Sequence, residues 1–567
     1  MKFTTKGVVA LAAALALGLT AACQPGGGTG GSGETPPPSI SNTELAQSDA
    51  QFNEQPRENI KDGGTLTTAI TEITPQFNTF QADGTRYTLD VWKWNNPIMA
   101  LYTASGEWSF NDDYLTDVSV EQKDGDTVVT YTIREDATFN DGTPIDWKAF
   151  ETTWKVSSGK DEEFLVSSTD GYDRITSVVA GENDKQAVVT WGGGWAWWQG
   201  QFNYVLHPKA GVDAKTFNEA YLNNPHPEWG AGPYTVKNYD QQGGTITFER
   251  NPKWWGDPGK LDERTFRVME SQASLNAFKN GEIDATSVAT KDRLSQVQGM
   301  ADVEVRQSAT PSNSLMVINS ESEILADPKV RQAIMQGVDR ETILKVQYDG
   351  LNYTEELPGS FTLFPWQEGY KDNLAEAGVT YDAEAAKALL EEAGWTVGDD
   401  GFRAKDGKVL EITLPVLGDS PTTKARATAL QAMMKEIGVK LNNESRPSSD
   451  FSTVFNGKLF DIFLMGFASS DPFGQAYFCQ LYCSNSSLNV SGTGTAELDA
   501  KIEEAAGIPD PDEQTAELNK LEVEALATYG ILPIFNGPTM IAVKAGLANY
   551  GAELFHIGKP QDIGWQK

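Results

Sequence analysis

From Asp327 to Phe467 the chain alternates helix and strand signals, and this alternation limits the possible folds more than any other feature. Asp327-Pro328 is a helix start, an N-cap followed by Pro at the first helical position. Val330, Ala333, Ile334, Gly337 and Val338 then recur at helical spacing. Asp382 caps a second helix with Ala386, Leu389, Leu390 and Ala393 as its apolar face and Gly394 as its stop. Leu410 to Val416 is a strand. Ala427, Leu430, Met434 and Ile437 mark a helix ended by Gly438, Val439 begins another strand, and Phe460 to Phe467 is an apolar strand of the fully buried type. This order predicts α/β units with a largely parallel sheet. Earlier, Gly64 to Ile70 and Thr127 to Ile133 alternate as strands. Thr245 to Phe248, after Gly243-Gly244, reads as the second half of a hairpin.

The N-terminus has a different texture. Lys2 and Lys6 precede an apolar run from Val8 to Leu19, and small residues lead to Cys23. That is the order of a secretory signal peptide over residues 1–22, with an apolar run too short for a permanent membrane span. Leu19-Thr20-Ala21-Ala22-Cys23 resembles a bacterial lipobox, which implies lipidation of Cys23. Gln24 to Ser41 is rich in Gly, Ser, Thr and Pro and offers little to bury, so residues 23–60 are expected to form a flexible tether.

The remaining chain is too long for one ordinary core, so two or three lobes are expected. A net charge of −34 excludes nucleic acid as a partner and disfavours binding to anionic lipid surfaces, leaving the lipid anchor as the membrane contact. Of the three cysteines, Cys479 and Cys483 lie close together in an exported chain. A small-loop disulfide is the first reading and two separate buried thiols the alternative. No His or Cys nearby completes a zinc site, and His207, His226 and His556 are scattered, so no metal or cofactor is expected.

Catalytic signatures are sparse. Phosphate-binding loops, His-Glu-x-x-His helices and Gly-x-Ser-x-Gly elbows are missing from the sequence. Ser157-Ser158-Gly159-Lys160 fits Ser-x-x-Lys without its companion motifs, so an exported hydrolase using Ser157 and Lys160 is the weaker reading. Aromatics are more informative. Trp191-Gly-Gly-Gly-Trp195-Ala-Trp197-Trp198 joins stacking surfaces to glycines that let a ligand approach, or else covers a small lobe's own core. Trp92, Trp94, Asn95 and Tyr102 form a second concentration just after the first strand region, where α/β proteins place ligand contacts.

At this point the chain resembles the solute-binding proteins of oligopeptide and dipeptide ABC importers, in their lipoprotein form. Tyr131-Thr-Ile-Arg-Glu-Asp-Ala-Thr-Phe-Asn-Asp-Gly-Thr-Pro144 through Trp154 carries the strand, Asp-Gly-Thr-Pro, helix signature. Gly232-Pro233-Tyr234 with Arg250-Asn251-Pro252, Gly281-Glu-Ile-Asp284, and Val330-Arg331-Gln332-Ala333 with Asp339-Arg340 follow in the family's order. The resemblance implies a two-lobed periplasmic-binding-protein-like α/β fold of type II, cluster C, with an extra subdomain. One lobe would comprise residues 61–108, 231–315 and 531–567, the inserted subdomain 109–230, and the second lobe 316–530. It further implies a monomeric, non-enzymatic protein on the outer face of the cytoplasmic membrane. Such a protein captures a small solute, a peptide first and a sugar as an alternative, and passes it to permease subunits. In peptide-binding members a buried Asp after Gly-Trp at a strand end holds the ligand's amino terminus. Here the segment is Gly466-Phe467-Ala468-Ser469-Ser470-Asp471, one residue longer and with Phe467 in place of Trp. Asp471 is its acid, with Phe473 and Tyr477 as apolar walls, or else Asp471 caps a helix or turns the chain before Pro472. Trp92, Asn95, Tyr102, Trp195 and Trp197 are expected to face it from the other side of the cleft.

Overall fold

The computed structural model describes residues 40–41 and 50–567, except 352, 419, 448–449 and 470. The signal segment and Cys23 lie outside the described residues. The folded body includes chain that the sequence assigns to the tether. Phe52 and Ile60 are buried, Phe52 stacks on His556 at 4.3 Å, and Ile60 bridges to Gln566. Their apolar surface is covered by the C-terminal segment, so the tether ends before residue 60.

Three sheets organise the body. The largest has seven strands in the order Val303–Ala309, Pro538–Lys544, Ala285–Ser287, Thr65–Ile70, Glu263–Val268, Thr245–Arg250, Tyr234–Asp240. The predicted Thr245 hairpin is present, with Gly244 at φ +60 in its turn. A four-stranded antiparallel sheet, Leu115–Lys123, Asp126–Ile133, Gln186–Trp191 and Ile175–Ala180, buries Val129, Tyr131 and Ile133 as the alternation requires. A three-stranded sheet sets Ser312–Ile318 between Ile462–Ala468 and Ile531–Phe535.

The sheets are mixed rather than largely parallel. Thr65–Ile70 runs parallel to Glu263–Val268 and Ala285–Ser287, and Glu411–Leu417 runs parallel to Lys440–Arg446 across the Pro421–Glu436 helix. Every other pair in these sheets is antiparallel. Short hairpin connections and strands arriving from distant parts of the chain impose that direction. The helix starts follow the sequence closely: Asp327 accepts the Lys329 amide at 2.9 Å and Asp382 the Glu384 amide at 3.0 Å.

The motifs that carried the family resemblance act as structural staples. Asn251 Nδ2 donates to Asn140 Oδ1 and to the Gly232 carbonyl, both at 2.8 Å, which joins three motif segments in one junction. A Cβ on Gly232 would meet the Trp94 carbonyl at 2.8 Å, so this close approach needs glycine. Asp284 accepts the Thr67 amide at 2.7 Å and pairs with Lys544 at 2.6 Å. Arg340 Nη1 donates to the carbonyls of Pro358 and Pro533.

The chain passes between the seven-stranded and three-stranded sheets twice, at Thr310-Pro311 and at Asn536-Gly537. The two crossings lie side by side: the Thr310 amide donates to the Gly537 carbonyl at 3.2 Å. Glu355 spans the second crossing, each of its oxygens accepting one amide, Asn536 and Gly537, at 2.8 Å.

Candidate functional site

The strand Ile462–Ala468 is buried at its start, at Ile462 and Phe463, and emerges at its end, where Gly466 and Ala468 are exposed. The expected fully buried strand is therefore exposed at its end; among the described residues it is hydrogen-bonded to Ser312–Ile318, and the Thr413 amide of Glu411–Leu417 donates to Asp461 just before its start. Beyond it the chain turns at Asp471, 3 % exposed. One carboxylate oxygen accepts the Phe473 amide at 2.9 Å, the two-residue reach of an Asx turn, and the other accepts the Tyr477 hydroxyl at 2.5 Å.

Three parts of the chain meet at this turn. The Phe473 ring lies 6.1 Å from Tyr102 and 6.0 Å from Trp197. Tyr102 donates its hydroxyl to the Gln199 carbonyl at 2.9 Å, and Trp197 Nε1 donates to Gln514 Oε1. Gln480 Nε2 donates to Asp170 at 2.8 Å, and Arg174 pairs with Glu503 at 2.8 Å. These contacts hold the four-stranded sheet's subdomain against the elements around Asp471, so the cleft is closed.

The cavity between these elements is about 550 Å³, within the usual range for small-ligand sites. Ser312, Ala468, Asp471 and Tyr477 line it together with Asp170, Tyr204, Arg86, Asp90, Lys93 and Glu553. Burial raises Asp170, pushes Glu553 up to about 7, and with the adjacent Asp471 charge holds Tyr477 well above the usual phenol range. The Tyr477 hydroxyl is thus a firm donor to Asp471.

Of the residues singled out by sequence, Asp471 and Tyr477 line the cavity, and Phe473, Tyr102 and Trp197 pack together beside them without lining it. Trp92 and Asn95 are not. The Arg86–Asn95 helix buries Thr88, Val91, Trp92 and Asn95 on its inner face, so Trp92 packs on Phe80 and Tyr221 inside the lobe. Asn95 serves through its carbonyl, which accepts the amides of Ala231 and Gly232. Trp195 is in the core of the four-stranded sheet's subdomain, donating to Gln201 at 2.7 Å. The Phe467 ring packs on Phe361 at 5.7 Å, away from the cavity. The sequence reading missed Arg86, Asp90, Lys93, Asp170, Tyr204 and Glu553. Residues 86, 90 and 93 carry a readable signal, charges at i, i+4 and i+7 on the helix face opposite the buried one.

Ser157 is buried on the cavity wall, but Lys160 is exposed, with its ammonium 4.8 Å from the Trp154 ring centre and 3.4 Å from the Ile175 carbonyl. No hydrogen bond links the two among the described residues, so the Ser-x-x-Lys pair is not assembled. Cys479 and Cys483 form a disulfide beside the turn. Among the described residues no cluster of three His, Cys, Asp or Glu is placed to hold a metal. No described helix is long and apolar enough to cross a membrane.

The family described as bacterial extracellular solute-binding proteins, family 5, middle region, matches residues 104–489. The oligopeptide-binding protein OppA of Mycobacterium tuberculosis is 33% identical over 509 residues, covering 89% of this chain and 85% of that protein. The fold is shared with the periplasmic EDTA-binding protein EppA, at TM-score 0.81 and 24% identity over 92% of this chain and 99% of the other. It is also shared with the oligopeptide-binding protein AppA of Bacillus subtilis in complex with a nonapeptide, at TM-score 0.77 and 20% identity over 90% and 100%. With a two-lobed α/β body closed over a small cavity and a family match across most of its length, the chain belongs to the bacterial extracellular solute-binding proteins of family 5, which bind solutes and are not enzymes.

Proposed function

We propose that this protein captures short peptides outside the cell and delivers them to the permease subunits of an ABC importer. The observation that carries this reading is Asp471, a carboxylate 3 % exposed in the wall of the cavity, just beyond the exposed end of the Ile462–Ala468 strand. A buried carboxylate suits a ligand ammonium. The peptide-binding names of its relatives in M. tuberculosis and B. subtilis support the same assignment.

The protein acts as a monomer without a cofactor, and Asp471, Phe473, Tyr477, Tyr102 and Trp197 contribute to the ligand cleft. One lobe is the seven-stranded sheet with its helices and the other surrounds the three-stranded sheet. The subdomain of residues 109–230 is inserted in the first. The return crossing is best placed at Asn536-Gly537 rather than at 531, because Ile531–Phe535 pairs with Ser312–Ile318. Cys23, outside the described residues, is lipidated and holds the protein at the outer face of the cytoplasmic membrane. Cys23→Ser releases it into the medium, and retention of that variant in membranes contradicts the anchor.

A non-peptide solute is the second reading, favoured by the fold likeness to an EDTA-binding protein. A sugar is less well served, since Trp195 is packed inward and Trp197 is engaged with Gln514. Native mass spectrometry of the protein purified from its own source distinguishes them. Peptide masses are expected, whereas a bound chelate or sugar overturns the peptide assignment.

A further inference from the structure

The loop between the Trp147–Ser157 helix and the Ile175–Ala180 strand contributes Ser167, Ser168, Asp170 and Tyr172 to the lining of the cavity. Ser157, the last residue of that helix, is 1 % exposed and lines the cavity too, and its hydroxyl makes no hydrogen bond among the described residues.

Asp170 is held in one orientation. Its amide donates to Ser168 Oγ at 3.1 Å, and its carbonyl accepts Gln201 Nε2 at 3.4 Å. Ser168 Oγ donates to Asp170 Oδ2 at 2.5 Å, and Gln480 Nε2 donates to the same oxygen at 2.8 Å. Gln480 sits on the short helix Phe478–Tyr482, which the disulfide between Cys479 and Cys483 pins. Both side-chain bonds fall on Oδ2, so Oδ1 makes no hydrogen bond among the described residues.

This carboxylate also lacks a counter-charge. Among the described residues it forms no ion pair with Lys, Arg or His. Arg174, four positions on, is engaged with Glu503 at 2.8 Å and lies 5.5 Å from the Trp195 ring centre. Asp173 adds a second acid, pushed up to about 6 by burial and then by the Asp170 charge. Burial raises Asp170 in the same way. Lys93, which lines the same cavity, is balanced by Asp90 and Glu553. A carboxylate withdrawn from water without a cation is costly, and a ligand cation reaching Oδ1 offsets that cost.

The neighbouring acid narrows the ligand. Asp471 lines the same cavity, and Tyr477 links the two carboxylates: its hydroxyl donates to Asp471, and the charges of both Asp471 and Asp170 act on it. A peptide brings one amino terminus for Asp471. The second carboxylate calls for a second cation, close to the first along the ligand, and a side-chain ammonium or guanidinium supplies it.

We propose that Asp170 receives a cationic side chain, with the Ser157 hydroxyl as a further acceptor in the cavity, so that the captured peptides carry Lys or Arg near their amino terminus. This rests on the peptide reading above and adds a side-chain preference to it.

Ligand-free wild-type protein is offered tri- to pentapeptide pools with Lys, Arg, Gln or Met fixed at the first, second or third position and the other positions randomised. Retention is read by native mass spectrometry. At one of these positions Lys and Arg pools are expected to be retained about tenfold or more over Gln and Met pools, the worth of one charge-assisted contact. Asp170→Asn keeps acceptors for Ser168 and Gln480, and is expected to bring that ratio close to one while still retaining peptides. Glu503→Gln removes an acid that does not line the cavity and is expected to leave the ratio unchanged. Equal retention of all pools by the wild type overturns the cationic pocket and leaves the peptide reading standing. An undiminished ratio in Asp170→Asn, or loss of every pool by that variant, overturns the role given to Asp170. No peptide retained by the wild type from any pool overturns both readings.

Discussion

The hydroxyl of Tyr477 donates to one carboxylate oxygen of Asp471 at 2.5 Å while the Phe473 amide donates to the other at 2.9 Å. The carboxylate is therefore oriented before any ligand arrives. Tyr477→Phe removes one of these donors and keeps the ring. Ligand affinity is expected to fall about tenfold with the fold intact. Calorimetry gives the affinity and near-ultraviolet circular dichroism checks the fold.

The second crossing, at Asn536-Gly537, is specified as tightly as the cleft. Gly537 adopts φ +85, and a Cβ there would sit 1.9 Å from the Tyr348 hydroxyl. Gly537→Ala is expected to cost on the order of 1–3 kcal/mol in urea unfolding from backbone conformation alone, with the clash added to it. Combining it with Tyr348→Phe removes the nearest clashing atom and should recover part of the loss. No recovery would assign the whole cost to the backbone.

Glu553 gives stability a pH dependence of defined sign. Its ordinary value is 4.5 and its folded value about 7, raised by burial. Between these the folded protein keeps a proton that the unfolded chain releases, so stability falls as pH rises through this window and levels off above it. Glu553→Gln lacks this loss. The variant is expected to gain on the wild type by on the order of 2 kcal/mol between pH 5 and pH 8 in urea unfolding. A constant difference between the two proteins contradicts the burial of an ionisable Glu553.

The bond between Cys479 and Cys483 closes a loop with a sequence separation of 4. Its effect on the unfolded chain is correspondingly small, and reduction should cost on the order of 2 kcal/mol or less. Thiol labelling of the unfolded, unreduced protein should find neither cysteine free. Two labelled thiols would exclude the bridge.

Local features were legible from the residues alone. The caps at Asp327 and Asp382 and the helix stops at Gly394 (φ +87) and Gly438 (φ +84) depend on neighbours a few positions away. Strand partners were not legible, because Thr65–Ile70 pairs with segments some two hundred residues distant and nothing in its alternation names them. The cleft was half read. Asp471 stood out as the acid at a strand exit, but Trp92 and Asn95 drew attention by composition while helical periodicity placed them inside. The same periodicity turned Arg86, Asp90 and Lys93 to the cavity, where such a charge pattern usually meets only solvent.

The central claim is that the cleft holds a ligand's amino terminus on Asp471. Its most direct test is calorimetry of a peptide recovered from the purified protein, in free and N-acetylated forms, against the wild type and Asp471→Asn. An enclosed ion pair that loses one partner costs about 3–5 kcal/mol, so N-acetylation and Asp471→Asn should each weaken binding by about two orders of magnitude or more. Equal affinity for both forms, or full affinity in the Asn variant, would contradict the account.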